Sequence, residues 1–139
     1  MKPGPSHSSN FTLHSSPAAS PQDIKERTFE FATRVIRLCR ALEESPGVSR
    51  TLANQLLRSG TSVGANVEEA HGSHSKPDFI AKMSIANKEA RETNYWLRLL
   101  SAADVVPADK LTDITDESNQ LIAILTTIVK RSREKRDEE

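Results

Sequence analysis

Residues 55–70 read QLLRSGTSVGANVEEA and combine an apolar helical face with several small residues and one polar stripe. A helix over residues 49–71 brings six residues onto one apolar face: Leu52, Leu56, Gly60, Val63, Val67 and Ala70. Glycine inside a helix costs about 1 kcal/mol relative to alanine. Gly60 and Gly64 therefore predict that another backbone packs closely against this helix.

Three more helices are predicted around it. Ser20, Pro21 and Asp23 form a start signal for a first helix that extends to about residue 44. A third helix over residues 77–104 has a core line at alternating steps of four and three: Phe79, Met83, Ala86, Ala90, Thr93, Leu97 and Leu100. Pro107 and Asp109 open the fourth.

Short connections force neighbouring helices to run in opposite directions. The sequence therefore predicts an all-α fold, an antiparallel up-down-up-down four-helix bundle over residues 21–135. Residues 1–20 contain too few large apolar side chains to offset their ordering entropy, which predicts a disordered leader. Residues 136–139 are expected to form a charged tail.

Composition excludes several classes of protein. The 139 residues have a formal net charge of +0, and no apolar run approaches the eighteen residues of a membrane-spanning helix. The start of the chain lacks the pattern of a secretory signal, and the lone Cys39 cannot form an intrachain disulfide. We therefore expect a cytoplasmic protein without membrane association.

Catalytic and cofactor chemistry has little support. Glu68 and His71 form a Glu-x-x-His pair with His74 nearby, but a di-iron bundle needs a second such pair. Cys39 falls on the core face of the first helix, and no histidine lies on a neighbouring helical stripe to activate it. We predict no metal site, no cofactor and no enzymatic activity.

A family resemblance appears in the second and third helices. It rests on Arg58, Ser59, Ser62, Val63, Asn66, Val67 and Glu69, followed by Lys76, Asp78, Phe79, Ile80, Lys88, Glu89, Ala90, Glu92, Tyr95, Trp96 and Leu97. This pattern resembles the bacterial four-helix bundle family named after proteins encoded in 23S ribosomal RNA intervening sequences, and it covers residues 28–131. The resemblance implies a ring-shaped homopentamer. A related branch comprises markedly basic accessory proteins of diversity-generating retroelements, which bind nucleic acid and a reverse transcriptase.

The polar stripe of the second helix has a physical interpretation of its own. It consists of Arg58, Ser62, Asn66 and Glu69. An antiparallel hairpin that turns near His74 places Arg58 opposite Glu89 and Glu92, so we predict a contact with one of these acids. Two roles fit that contact: an interhelical ion pair that fixes register, or part of a ligand or partner site.

A second apolar group lies about 100 degrees round the third helix from its core line. It comprises Ile85, Trp96, Leu99 and Ala103. One bundle core cannot easily absorb both faces of the helix. We therefore predict that this second face is buried between subunits of a homo-oligomer.

Basic residues supply the main indication of a partner. The candidates for nucleic-acid contact are Arg34, Arg37, Arg40, Arg91, Arg98, Lys130, Arg131 and Arg133. Acidic residues accompany the first and last clusters, so a solvated mixed-charge surface fits the pattern equally well. Two functions follow: an oligomeric accessory protein that binds RNA or DNA, or a scaffold that binds another protein without nucleic acid.

Overall fold

The computed structural model describes residues 21–138. They form four helices: α1 (Pro21–Leu42), α2 (Val48–His71), α3 (Lys76–Ala102) and α4 (Ala108–Glu138). The predicted all-α class is confirmed, since the described part of the chain contains no strand. Helix α4 continues through residues 136–138 of the expected tail, while the expected leader, residues 1–20, lies outside the described residues.

The connections are short and locally specified. The Ser75 hydroxyl accepts a hydrogen bond from the Asp78 backbone N–H at 3.2 Å and caps α3, with proline in the first turn. Before α2, Gly47 has a φ of 92°, in the region that only glycine adopts without strain. These caps place the ends of α2 and α3 within a few residues of the predicted positions.

Consecutive helices pack side by side, and α1 has a sparser contact with α4. In each of four pairs, a residue in the first half of one helix contacts a residue in the second half of its neighbour: Lys25 with Glu68, Lys82 with Glu69, Ser118 with Asn94, and Asn87 with Thr126. This pairing of opposite halves determines which polar side chains of neighbouring helices meet.

The glycines of α2 let α1 come close. A Cβ on Gly64 would lie 3.2 Å from the Thr28 carbonyl oxygen, so the predicted close backbone is present there. A Cβ on Gly60 would lie 2.7 Å from Val35 Cγ1, so at this position the close neighbour is a buried side chain rather than a backbone. Both contacts fall between α1 and α2.

The core runs the length of the bundle between the apolar lines of the four helices. Its largest fully buried side chains include Phe31, Leu56, Met83 and Leu125. Within residues 21–138, no helix is long and apolar enough to cross a membrane.

Candidate nucleic-acid interface

A cleft of about 500 Å³ lies between α3 and α4. Its lining residues are Ser84, Asn87, Lys88 and Arg91 from α3, and Thr126, Val129, Lys130, Arg133, Glu134 and Asp137 from α4. The α3 residues follow helical spacings of three and four, and so do those of α4, so each helix turns one stripe toward the same groove. We call this groove the α3–α4 cleft.

The polar groups of Ser84 and Asn87 in the α3–α4 cleft are incompletely paired. The Asn87 side-chain amide donates a hydrogen bond to the Thr126 hydroxyl at 3.0 Å. Its Oδ1 atom, and the Oγ atom of Ser84, are buried and have no hydrogen-bond partner within the described chain. Buried polar atoms are normally paired, so these two oxygens are exceptions within the contact between α3 and α4.

Four cations line the same cleft: Lys88, Arg91, Lys130 and Arg133. All four are exposed, and none forms an ion pair with another residue among 21–138. By contrast, Arg27 binds Glu117 through two hydrogen bonds of 3.1 and 2.8 Å. The cleft also has two acids, of which Asp137 lies 3.8 Å from Arg136. The cleft therefore has an excess of positive charge that the described chain does not neutralise.

The structure brings together three of the cations that the sequence proposed as nucleic-acid contacts, namely Arg91, Lys130 and Arg133. Sequence reasoning missed Lys88 as a member of this group. The signal was present, since Ser84, Lys88 and Arg91 are spaced four and three along one helix. Identifying it required knowing that this stripe of α3 faces the end of α4.

Arg98 does not line the α3–α4 cleft. Its Nε atom donates a hydrogen bond to Asn94 Oδ1 at 2.8 Å, and its guanidinium lies 5.9 Å from the centre of the Tyr95 ring. Asn94 in turn donates to the Ser118 hydroxyl at 2.8 Å. Arg98 thus belongs to a polar network around Asn94 and Ser118, separate from the cleft.

The remaining basic candidates are also placed elsewhere. Arg131 is exposed on α4 but does not line the cleft. Arg34, Arg37 and Arg40 lie on α1, where Arg37 and Arg40 are exposed and Arg34 is half-buried. The predicted basic set is therefore divided into the cleft group Arg91, Lys130 and Arg133, the α1 group, and the two separate residues Arg98 and Arg131.

Arg58 contacts both acids that helix pairing placed opposite it. Its guanidinium binds Glu92 directly and lies 3.5 Å from Glu89 Oε1. The Trp96 indole N–H donates to the same Glu92 carboxylate at 3.0 Å. The predicted Arg58–carboxylate contact is present; its role in fixing register stays a prediction.

The other members of the polar stripe divide into two kinds. Ser62 donates to the Arg58 carbonyl at 2.6 Å and Asn66 donates to the Ser62 carbonyl at 2.9 Å, so both bond within α2. Glu69 reaches across to Lys82 at 3.0 Å, and this hydrogen bond raises the pKa of the lysine. The contacts from the stripe to α3 therefore come from Arg58 and Glu69, its two end residues.

The second apolar face of α3 is only partly covered within one chain. Ile85 is 39% exposed, Ala103 is exposed, and Leu99 and Trp96 are half-buried. Trp96 packs against the core and lies edge-on to Tyr95, with 5.1 Å between the ring centres. Burial of this face between subunits remains a prediction.

Cys39 occupies the core position expected of it. Its thiol donates to the Ala53 carbonyl at 3.4 Å, and burial raises its pKa to about 11. A thiol with a raised pKa is a poor nucleophile at neutral pH. Among residues 21–138, no three histidine, cysteine, aspartate or glutamate side chains form a group suited to a metal ion.

Comparison with known proteins identifies the family. Residues 21–127 match the model of the 23S rRNA-intervening sequence protein family. The chain is 38% identical to a protein of unknown function from the S23 ribosomal protein family of Bacteroides thetaiotaomicron, whose crystal structure superposes with a TM-score of 0.72. That match covers 77% of this chain and 98% of the other. Among curated proteins, none matches the chain. The chain therefore belongs to the 23S rRNA-intervening sequence protein family.

Proposed function

We propose that this protein is a non-enzymatic accessory protein that binds nucleic acid through the α3–α4 cleft. The observation that carries the proposal is the convergence of four cations without ion-pair partners in the described chain: Lys88, Arg91, Lys130 and Arg133. Phosphate contacts from lysine and arginine release counterions from nucleic acid and supply most non-specific affinity. A neutral chain can bind by this means because only the local charge of the cleft faces the phosphates.

The α1 arginines support the same function less well. Arg34, Arg37 and Arg40 come from one helix, whereas the α3–α4 cleft draws cations from two helices around a concave surface. A concave surface with four cations and two acids, Glu134 and Asp137, holds phosphates closer to more cations than a single helix face does. The cleft is therefore the stronger candidate.

We also propose that the four helices form an antiparallel up-down-up-down bundle and that the protein assembles into a homo-oligomer. The opposite order of contacts between consecutive helices supports the antiparallel arrangement. The partly exposed face defined by Ile85, Trp96, Leu99 and Ala103 supports subunit contact, and the family resemblance implies five subunits. Assembly would present several α3–α4 clefts to one strand, and linked weak sites bind far more tightly than one.

The experiment compares binding of a fluorescent single-stranded RNA by two charge-reversal variants of the full chain. Lys130→Glu with Arg133→Glu alters the cleft, and Arg37→Glu with Arg40→Glu makes the same charge change on α1. Since affinity depends on the number of phosphate contacts, we expect the cleft variant to lose about tenfold or more at low salt. The α1 variant should retain wild-type affinity.

Salt dependence supplies the second measurement. The logarithm of the wild-type association constant should fall linearly with the logarithm of salt concentration, and the slope should be shallower for the cleft variant. No affinity above background at low salt would contradict nucleic-acid binding. Equal losses in both charge variants would contradict the assignment to the cleft.

A protein-binding scaffold is the alternative function. Phe29 is 70% exposed and Ile36, two turns further along α1, is 40% exposed. Two exposed apolar residues on one helix face can contribute to a contact with another protein. Absence of nucleic-acid binding, together with a protein partner that Phe29→Glu abolishes, would favour this alternative.

A further inference from the structure

We infer that an unpaired base of the bound strand stacks on the ring of Tyr95, next to the α3–α4 cleft, and that Arg98 contacts the phosphate of the same nucleotide. The inference rests on the proposed function and extends the binding surface along α3 beyond the cleft. Its starting point is an aromatic side chain that stays accessible in the folded chain, since Tyr95 is 48% exposed.

Tyr95 continues the stripe of α3 that lines the cleft. Ser84, Lys88, Arg91, Tyr95 and Arg98 follow one another at steps of four, three, four and three. At about 100° per residue, Tyr95 falls within the arc of α3 that carries Lys88 and Arg91. It lies about 6 Å further along the helix axis than Arg91. A strand whose phosphates contact the cleft cations therefore passes over Tyr95 where it leaves the cleft along α3.

The ring of Tyr95 is held in place by two neighbours. Trp96 lies edge-on to it, with 5.1 Å between the ring centres, and the Arg98 guanidinium lies 5.9 Å from its centre. Trp96 is half-buried, and its indole N–H donates to the Glu92 carboxylate at 3.0 Å. Tyr95 therefore rests on a residue that is itself anchored to the bundle. A ring held in this way loses little conformational entropy when a base stacks on it.

Arg98 is also positioned before any strand binds. Its Nε atom donates to Asn94 Oδ1 at 2.8 Å, and the buried Asn94 donates to the Ser118 hydroxyl at 2.8 Å. Among residues 21–138, no acid forms an ion pair with Arg98. Its other N–H groups can therefore donate to a phosphate, and an arginine beside an aromatic ring also favours stacking. One nucleotide can place its base on Tyr95 and its phosphate against Arg98.

A stacking surface of this kind favours single strands. In a duplex the bases are paired and stacked on one another, so their faces do not reach a protein side chain. Unpaired bases can turn outward and stack on an aromatic ring. Because every base has a π face, this contact adds affinity without selecting a sequence. Tyr95 therefore supplements the charge attraction of the cleft with a contact that only unpaired nucleotides make.

The test compares the binding of two RNA strands of equal length to the full-length protein. One is oligouridine, and the other consists of abasic ribose units. Both carry the same phosphates, but only the first has bases. We expect the wild type to bind oligouridine more tightly by about fivefold or more, the typical effect of one stacked base.

Variants of Tyr95 locate that preference. Tyr95→Leu keeps apolar bulk beside Trp96 but has no aromatic face, so it should bind the two strands equally. Tyr95→Phe keeps the ring and should retain the wild-type preference. Phe29→Leu is the matched control and should also retain it, because Phe29 is an exposed aromatic residue on α1. Circular dichroism and light scattering compare the helicity and mass of each variant with those of the wild type.

A variant of Arg98 examines the phosphate contact. Arg98→Gln should weaken the binding of both strands and reduce the slope of the salt dependence by about one. Arg40→Gln, which removes an exposed charge from α1, should leave both quantities unchanged. Equal behaviour of the two arginine variants would overturn the contact between Arg98 and phosphate.

The outcomes separate the inference from the proposed function. Equal affinity of the wild type for both strands would overturn stacking while leaving phosphate binding in place. A preference for oligouridine that survives Tyr95→Leu would place the stacked base elsewhere. A lower mass for Tyr95→Leu would assign the ring to a subunit contact, and either result would overturn the inference. Failure of both strands to bind at low salt would reject the proposed function itself.

Discussion

Thr93 and Ser59 form a hydrogen bond across the contact between α2 and α3, with 2.9 Å between their hydroxyl oxygens. Both residues are fully buried, so the bond lies in the apolar core rather than at its edge. It lies one residue along each helix from the Arg58–Glu92 contact. The buried bond and the surface ion pair therefore hold the same register of the two helices.

Thr93→Val should reduce the free energy of unfolding by about 1–2 kcal/mol, because valine loses the hydroxyl contacts with Ser59 and with the Glu89 carbonyl. Valine keeps the shape of the side chain, and the Ser59 hydroxyl retains the Leu56 carbonyl at 3.4 Å. Urea unfolding followed by circular dichroism measures the change. If the bond couples the helices, the double variant Thr93→Val with Ser59→Ala should lose less unfolding free energy than the sum of the losses in the two single variants.

Gly60→Ala should destabilise the protein by about 1–2 kcal/mol. The new Cβ would lie 2.7 Å from Val35 Cγ1 in a buried contact, and overpacking of this kind outweighs the helix propensity that alanine gains. Gly72→Ala is the control, since its Cβ would lie 3.7 Å from the nearest atom at a φ of −95°. Thermal unfolding compares the two variants.

The double variant Gly60→Ala with Val35→Ala examines the cause of that loss. Removing the valine methyl groups clears the space that the new Cβ needs. The double variant should therefore lose less unfolding free energy than the two single variants together. Full additivity would show that the loss at Gly60 arises from something other than the contact with Val35.

Helical periodicity was sufficient to predict the four helices, because apolar lines such as Met83, Ala86 and Ala90 are buried in one consistent core. Helix pairing also brought Arg58 to Glu92, since a short turn fixes which residues of α2 and α3 meet. The α3–α4 cleft was harder to predict from the sequence. Lys88 and Arg133 are far apart in sequence, and only the packing of α3 against α4 brings them to one groove.

Ionisation of the Cys39 thiol makes the free energy of unfolding depend on pH in the alkaline range. Burial raises its pKa to about 11 from an ordinary value of 9.0, so the native state holds the proton more tightly than the unfolded state. This contribution is fully present below pH 9 and is lost as the pH rises toward 11. The difference in unfolding free energy between the wild type and Cys39→Ala should therefore shrink between pH 9 and 11. A difference that is independent of pH over this range would contradict the argument.

The partly exposed face of α3 predicts the effect of a charge on assembly. Ile85 is 39% exposed, and a glutamate there would carry its charge into any interface that buries it. We expect Ile85→Glu to convert the oligomer into smaller species, which light scattering coupled to gel filtration measures at micromolar concentration. Unchanged helicity would show that the loss of mass comes from the interface and not from unfolding.

Phe29→Glu provides the matched comparison, because Phe29 is an exposed apolar residue on α1, away from the α3 face. It should leave the mass unchanged if subunits meet through Ile85 and Trp96. A loss of mass with Phe29→Glu but not with Ile85→Glu would move the interface to α1. A monomeric mass for the wild type would reject assembly, and each α3–α4 cleft would then have to bind its strand without the gain in affinity from linked sites.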